Sequence, residues 1–279
     1  MSKISYGFLI PIYKNDKPNI VYQALESVFN QTHLPNEVIV VIEGEISKSL
    51  LEVINSFKNK KINYRKLKIE KQIGPLGFGL PASLNLGIIN SQSDYIVRLD
   101  SDDISINTRL EIINSYLQNN RKIELLGSNI IEYDENLETK LKERVVPEQA
   151  NDIFKKGKFL NPFNGPSVVF KRTTALKLGG YPLVGSNEDY CLWASFMKYK
   201  LPCYNIQQNL VKMRAGDEII KRRNSIRYIK GEIQSMKYLY GIEYFNIFNF
   251  IFQLTGRILI RVLLPTKILK KVYFKYLRT

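Results

Sequence analysis

Tyr95-Ile-Val-Arg-Leu-Asp-Ser-Asp-Asp-Ile104 is the stretch on which the reading of this chain turns. Tyr95 to Leu99 is a short apolar run of β-formers, the pattern of a buried strand. It stops in three carboxylates, Asp100, Asp102 and Asp103. Side chains at i and i+2 of an extended backbone share a side, so Asp100 and Asp102 can converge on one cation. Carboxylates crowded at a strand end repel one another unless positive charge lies between them. In open α/β sheets that end is also where ligands bind. A hard divalent ion on one or two carboxylates, its shell completed by phosphate oxygens, fits the pattern.

Two plainer readings compete. Asp100, Asp102 and Glu111 stand at positions 1, 3 and 12 of a calcium loop, but Ile104 and Ser105 occupy positions 5 and 6, where a ligand and a glycine are needed. Alternatively the aspartates cap the next helix, expected from Thr108 to Gln118; one could do so, but three are too many.

Outward from this stretch, the flanking segments alternate. Tyr6 to Ile12 reads as a first buried strand closed by Pro11, and Asn19 as the cap of a helix with apolar positions Ile20, Val21, Ala24, Leu25, Val28 and Phe29. Glu37 to Ile42 is a second strand, ending in Glu43; Ser47 to Phe57 reads as a helix and Asn63 to Glu70 as a third strand. Gly74-Pro-Leu-Gly-Phe-Gly79 is a loop, either a mobile turn or a flap beside a nucleotide, leading to a helix from Pro81 to Asn90. This order predicts an α/β fold with a parallel sheet and right-handed crossovers. The glycine loop has neither the dinucleotide spacing nor a G-K-[ST] phosphate loop.

The chain has 279 residues, 44% of them hydrophobic, enough for one large α/β domain and an appendage. Its two cysteines, Cys191 and Cys203, lie in apolar surroundings and read as reduced core thiols of a cytosolic protein. No secretory segment opens the sequence. The net charge of +15 is concentrated from Lys212 to the end, where 15 Lys/Arg face 4 Asp/Glu. That imbalance predicts a polyanionic partner, a membrane surface or phosphates; no nucleic-acid module accompanies it.

The motifs Phe8-Leu-Ile-Pro-Ile-Tyr13, Ala24-Leu-Glu-Ser-Val-Phe-Asn-Gln-Thr32, Glu37-Val-Ile-Val-Val-Ile-Glu43, Pro81-Ala-Ser-Leu-Asn-Leu-Gly87 and Arg98-Leu-Asp-Ser-Asp-Asp-Ile104 resemble family 2 glycosyltransferases of the GT-A fold, of the bacterial surface-polysaccharide type. The resemblance continues through Asn161-Pro-Phe-Asn-Gly-Pro-Ser167, Gly179-Gly-Tyr-Pro182 and Asn187-Glu-Asp-Tyr-Cys-Leu-Trp193, covering about the first 240 residues. It implies a GT-A-like mostly parallel sheet flanked by helices and inverting transfer from a nucleoside-diphosphate sugar, most simply a UDP-sugar, with Mg²⁺ or Mn²⁺. The acceptor it implies is a saccharide or lipid-linked saccharide.

Position by position, the resemblance implies that Pro11, Tyr13 and Glu43 line the base pocket, Glu43 standing where the family usually has aspartate. Asp100 would contact the nucleoside, with Asp102, and Asp100 beside it, at the metal; Asp103 would support them or cap a helix. Asp189 is the implied general base, with Glu188 as alternate. Both also suit the first turn of a helix, expected from Glu188 to Tyr199 behind a Ser186 or Asn187 cap, on dipole grounds alone. Many relatives place a histidine beyond this helix. Here Arg214 stands near that position, so either the metal has fewer protein ligands or Arg214 and Lys212 take over part of its work on the diphosphate, with Lys221-Arg-Arg223 closing over the donor or forming a solvated basic helix. His33, the single histidine, falls in the turn after the first helix and reads as a surface residue. Trp193 reads as core.

Residues 241–279 form a basic, amphipathic helical appendage, in which Phe248, Ile251 and Phe252 belong to one apolar stretch and Arg257 and Arg261 interrupt the next. Two arginines near the middle of a span would be costly, so the segment reads as lying in an anionic membrane interface on the inner face of the cell membrane. The alternative is packing on the catalytic domain. A nucleotidyltransferase, or a non-catalytic basic adaptor for membranes or nucleic acid, are the rival functions.

Overall fold

The computed structural model describes residues 3–58, 62–69, 79–215 and 225–263. Residues 74–78 of the glycine loop, the Lys221–Arg223 cluster and residues 264–279 of the appendage lie outside the described residues.

The first half is built from βα units. β1 (Tyr6–Tyr13), α1 (Pro18–Phe29), β2 (Glu37–Glu43), α2 (Lys48–Ser56), β3 (Asn63–Ile69), α3 (Gly79–Asn90) and β4 (Tyr95–Arg98) follow in order. β2 is buried along almost its whole length, as expected of a strand covered on both faces. The first helix starts differently from expectation: Lys17 is its cap residue, without a side-chain cap, and Pro18 sets the first turn instead of Asn19. Ser47 does cap α2, accepting from the Leu50 N–H at 3.2 Å.

Beyond β4 come β5 (Ile104–Ser105), α4 (Arg109–Asn119), β6 (Leu125–Tyr133), β7 (Lys140–Arg144), α5 (Ala150–Lys156), a 3₁₀ turn (Gly165–Ser167), β8 (Val169–Lys171), α6 (Arg172–Lys177), α7 (Glu188–Lys198) and β9 (Cys203–Arg214). Two helices close the described chain, α8 (Ile226–Gly241) and α9 (Ile247–Leu263).

Among the described residues the strands form one nine-stranded sheet in the order β3-β2-β1-β4-β8-β6-β9-β5, with β7 on β6. β1, β2, β3 and β4 are mutually parallel, and β6 with β9 is parallel, whereas β8 runs antiparallel to both β4 and β6. The sheet is therefore parallel in its first half and mixed in its second. β6 and β9 were hidden by Gly127, Ser128, Asn129, Asn205 and Asn209, which interrupt their apolar pattern. Those polar groups are bonded across elements: the Ser128 N–H donates to Ser167 Oγ and Asn129 Oδ1 accepts from Val146 N–H.

Two apolar layers enclose the sheet. One holds Phe8, Val21, Leu25, Val40 and Leu110; the other holds Leu84, Phe170, Tyr181, Trp193 and Phe196. Trp193 is fully buried against Phe163, Phe170, Tyr181 and Phe196, so it is core, as expected. Packing continues across residue 241: Tyr244 and Phe245 are buried in the second layer. α8 lies directly on the segment before α7, where a Cβ on Gly231 would sit 2.5 Å from the Gly185 backbone. His33 is half-buried edge-on to Tyr6 instead of fully at the surface.

Candidate active site

The order β3-β2-β1-β4 reverses between β1 and β4, a switch point whose carboxyl edge is a natural ligand crevice. Tyr13 and Glu43 are paired in register at that edge, with Pro11 two residues back. The aspartates follow β4 on the same edge. Pro11, Tyr13, Glu43, Asp100 and Asp102 are thus delivered to one rim by the sheet itself.

Glu43 is half-buried, and a Cβ on Gly79 would fall 1.8 Å from its carboxylate oxygen, so the start of α3 closes over it. Burial pushes its pKa up, with Arg227 and Lys14 pulling the other way.

The aspartates divide the work among them. Asp103 is buried and accepts the Arg214 backbone N–H at 3.0 Å; burial and the charges of Asp102 and Asp100 raise its pKa well above the usual range. Asp102 opens to solvent at the cleft, yet the crowding atoms around it, then Asp100 and Asp16, push its pKa up to about 6. No aspartate caps the next helix: Thr108 is the cap residue of α4 and makes no side-chain cap bond.

The mutual repulsion of Asp100, Asp102 and Asp16 is the part of this shift that a bound divalent cation would relieve. The donors are all oxygen, and among the described residues no group of three His, Cys, Asp or Glu side chains converges on one point. Two carboxylates leaving coordination sites for phosphate oxygens match the chemistry of Mg²⁺ or Mn²⁺.

Arg214 is brought to the aspartates, but not as a free charge. Its Nε donates to the Glu135 carbonyl at 3.0 Å, while Nη1 and Nη2 reach the Asp102 carbonyl and Gln23 Oε1. In this geometry it fastens the aspartate loop to β9 and α1. Lys212 likewise lies over the Tyr133 ring, 5.6 Å from its centre.

The second half of the site comes from α7. Asn187 adopts a left-handed conformation, φ 56°, which asparagine tolerates better than most residues, and the helix begins at Glu188. Asp189 Oδ2 accepts from Asn161 Nδ2 at 3.1 Å, and Asp189 Oδ1 from the Tyr190 N–H at 2.6 Å. Glu188 is pushed up to about 7, first by burial and then by the Asp189 charge, against the pull of Arg98.

Two groups escaped the sequence reading. Asp16 Oδ2 accepts the Tyr13 N–H at 2.9 Å and the Ser101 hydroxyl at 2.7 Å, tying the end of β1 to the aspartate loop. Arg98, the last residue of β4, lies 3.0 Å from Asp100 and 4.0 Å from Asp189, with its side chain 5% exposed. An arginine inside an apolar strand, next to carboxylates, was the available signal, because a buried charge is retained only when paired.

A switch-point crevice rimmed by aspartates, facing a helix that opens in a Glu-Asp pair, is the layout of a GT-A-type sugar transferase. Residues 8–176 match the sequence profile described as Glycosyl transferase family 2, and the chain belongs to that family. The chain is 34% identical over 273 residues to an Escherichia coli UDP-Gal:alpha-D-GlcNAc-diphosphoundecaprenol beta-1,3-galactosyltransferase, covering 98% of this chain and 96% of that protein. It is 30% identical to the amylovoran biosynthesis glycosyltransferase AmsE of Erwinia amylovora, covering 97% and 98% of the two chains. The fold matches S. aureus TarS residues 1–349 in complex with UDP, with TM-score 0.64 and 11% identity over 98% of this chain and 75% of that one. It also matches the mannosyltransferase PcManGT from Pyrobaculum calidifontis in complex with GDP-Man and Mn²⁺, with TM-score 0.63 and 13% identity over 92% and 70% of the chains.

Proposed function

We propose that this glycosyltransferase moves a sugar, with inversion, from a UDP-sugar to a lipid-linked saccharide during surface polysaccharide assembly. The observation that supports this reading is that Arg98 pairs with both Asp100 and Asp189, at 3.0 and 4.0 Å, so the carboxylate read as donor-side and the one read as base lie close together. The UDP donor and the diphosphoundecaprenol-linked acceptor are inferred from the E. coli relative, which spans nearly the whole chain.

Pro11, Tyr13 and Glu43 would receive the nucleoside at the rim of β1 and β2, with Asp100 closing the same pocket. Asp102, with Asp100, would hold Mg²⁺ or Mn²⁺, which supplies positive charge to the leaving diphosphate. Asp189 would take the proton from the acceptor hydroxyl as that oxygen attacks the anomeric carbon. Asn161 holds Asp189 Oδ2, which fixes the direction in which the carboxylate accepts. Glu188 is the alternate base: burial and the Asp189 charge push its pKa up to about 7, a range that suits proton removal near neutral pH. Arg214 acts at one remove from the donor, by holding the Asp102 carbonyl.

The acceptor side bears on location. Ile247, Phe248, Ile251 and Phe252 of α9 are exposed, Phe248 at 79%, and the Lys/Arg-rich residues follow in sequence. Among the described residues no helix is long and apolar enough to cross a membrane. An aromatic face beside cationic chain is suited to lying in an anionic lipid surface, which would bring the cleft to a lipid-linked acceptor.

Stabilisation by ligands tests this reading first. UDP-sugars with Mg²⁺ or Mn²⁺ should raise the melting temperature, since a ligand bound only by the folded state stabilises it. Equal shifts from nucleoside triphosphates with pyrophosphate release would favour a nucleotidyltransferase.

A further inference from the structure

Arg98 is held from several directions. Its N–H donates to the Val168 carbonyl at 2.9 Å, and its own carbonyl accepts from Nη2 of the buried Arg109 at 3.0 Å. Its guanidinium then reaches Asp100 with Nη2 at 3.0 Å and Asp189 with Nη1 at 4.0 Å. Burial alone would pull its pKa down, but Asp100, Tyr181, Asp189 and Glu188 outweigh that and hold it firmly charged.

Gly165 makes room for this contact. A Cβ there would stand 2.8 Å from Asp189 Oδ2 and 2.9 Å from Arg98 Nη1. Its φ is not in the left-handed region, so close approach, not backbone freedom, is what the absent side chain provides. The 3₁₀ turn that begins at Gly165 is fastened by the Asn164 side chain, whose Nδ2 donates to the Ser128 carbonyl at 2.8 Å.

We propose that Arg98 is a positioning residue: its planar fork, fixed at the end of β4, registers the base Asp189 against the donor-side Asp100 so that the two halves of the cleft stay in line. This rests on the assignment of Asp189 as base. A guanidinium can address two carboxylates from a fixed plane, whereas an ammonium is a single point charge. Asp100 lies in the loop after β4 and Asp189 on α7, and Arg98 is the described residue ion-paired to both.

The test is a set of double-mutant cycles on turnover. Arg98→Gln should lower kcat by about 10-fold or more, yet in an Asp189→Asn background it should cost less than about 3-fold, because a group acting through Asp189 has nothing left to position. Arg98→Lys, which keeps the charge, should keep the melting temperature near wild type while kcat stays depressed. Gly165→Ala changes no charge and should reproduce the kcat loss with donor KM nearly unchanged, also non-additively with Asp189→Asn. Full multiplicative losses in both cycles, or wild-type kcat in Arg98→Lys, would overturn the proposal. Should Arg98→Gln fail to fold, the Arg98→Lys variant and the Gly165 cycle decide it alone. Wild-type turnover of the UDP-sugar, measured alongside, separates failure of this inference from failure of the assigned reaction.

Discussion

The Arg214 backbone N–H donates to Asp103 Oδ1 at 3.0 Å, joining the last residue of β9 to the carboxylate loop after β4. The Arg214 side chain adds three further contacts, one of them to the Asp102 carbonyl. The loop that would carry the donor is thereby fixed from a strand that enters the sheet 100 residues later in the chain.

Arg214→Ala should accordingly damage the loop first and binding second. Loss of buried hydrogen bonds from a charged donor costs about 1.5–3 kcal/mol of stability. Urea unfolding should show a loss on that scale, with UDP and uridine binding weakened together. Selective loss of UDP binding at unchanged stability would show instead that Arg214 meets the diphosphate.

Asp102→Asn removes one ligand charge and little volume. The variant should keep its fold and lose metal-dependent turnover of the donor. Wild-type activity that persists in EDTA, or full activity in the variant, would remove Asp102 from the metal assignment.

Stability should respond to pH through Glu188. Its pKa is raised from 4.5 to about 7 on folding, so between those values the folded state holds more protons than the unfolded. Stability from this group is therefore fully present below about pH 4.5 and declines as pH rises toward 7. Glu188→Gln, which cannot ionise, should gain on wild type in urea midpoint as pH goes from 5 to 8. A constant difference across that range would show that Glu188 titrates normally.

Membrane contact is tested by replacing Phe248, Ile251 and Phe252 with serine in the full chain. All three are exposed, so the fold should survive. Wild type should co-sediment with phosphatidylglycerol-containing vesicles in a salt-sensitive manner, and the triple variant should not. Truncation is a poorer test, because Tyr244, Phe245 and Gln253 are buried, and Gln253 donates to the Lys158 and Phe159 carbonyls at 3.0 and 2.8 Å.

Much of the parallel half was legible because its signals are local. The Glu37–Glu43 run is apolar enough to be a two-sided strand, and the carboxylates end the next one. The mixed half was not, since β6 and β9 owe their strand state to pairing between segments about 80 residues apart in sequence, and their polar residues are bonded to other, non-adjacent segments. Tyr13, Glu43 and Asp100 stood out in motifs, and the sheet register puts them at the same edge. Arg98 was missed because hydrophobic patterning treats a charged residue in a strand as noise. Arg214 was placed correctly near the aspartates, but spacing gives no information on which way a guanidinium turns.

In the proposed reaction Asp189 removes a proton from an acceptor hydroxyl while the Asp100–Asp102 side holds a UDP-sugar. Its most direct measurement is acceptor-dependent release of UDP from a panel of UDP-sugars, using a GlcNAc-diphosphoundecaprenol-type acceptor, in wild type and Asp189→Asn. Wild type should release UDP and form a product of inverted anomeric configuration. Asp189→Asn should fall by about 10²-fold or more in kcat with donor binding nearly unchanged. Undiminished turnover in Asp189→Asn would rule out Asp189 as the base, and a product that retains the donor's configuration would rule out direct inverting transfer.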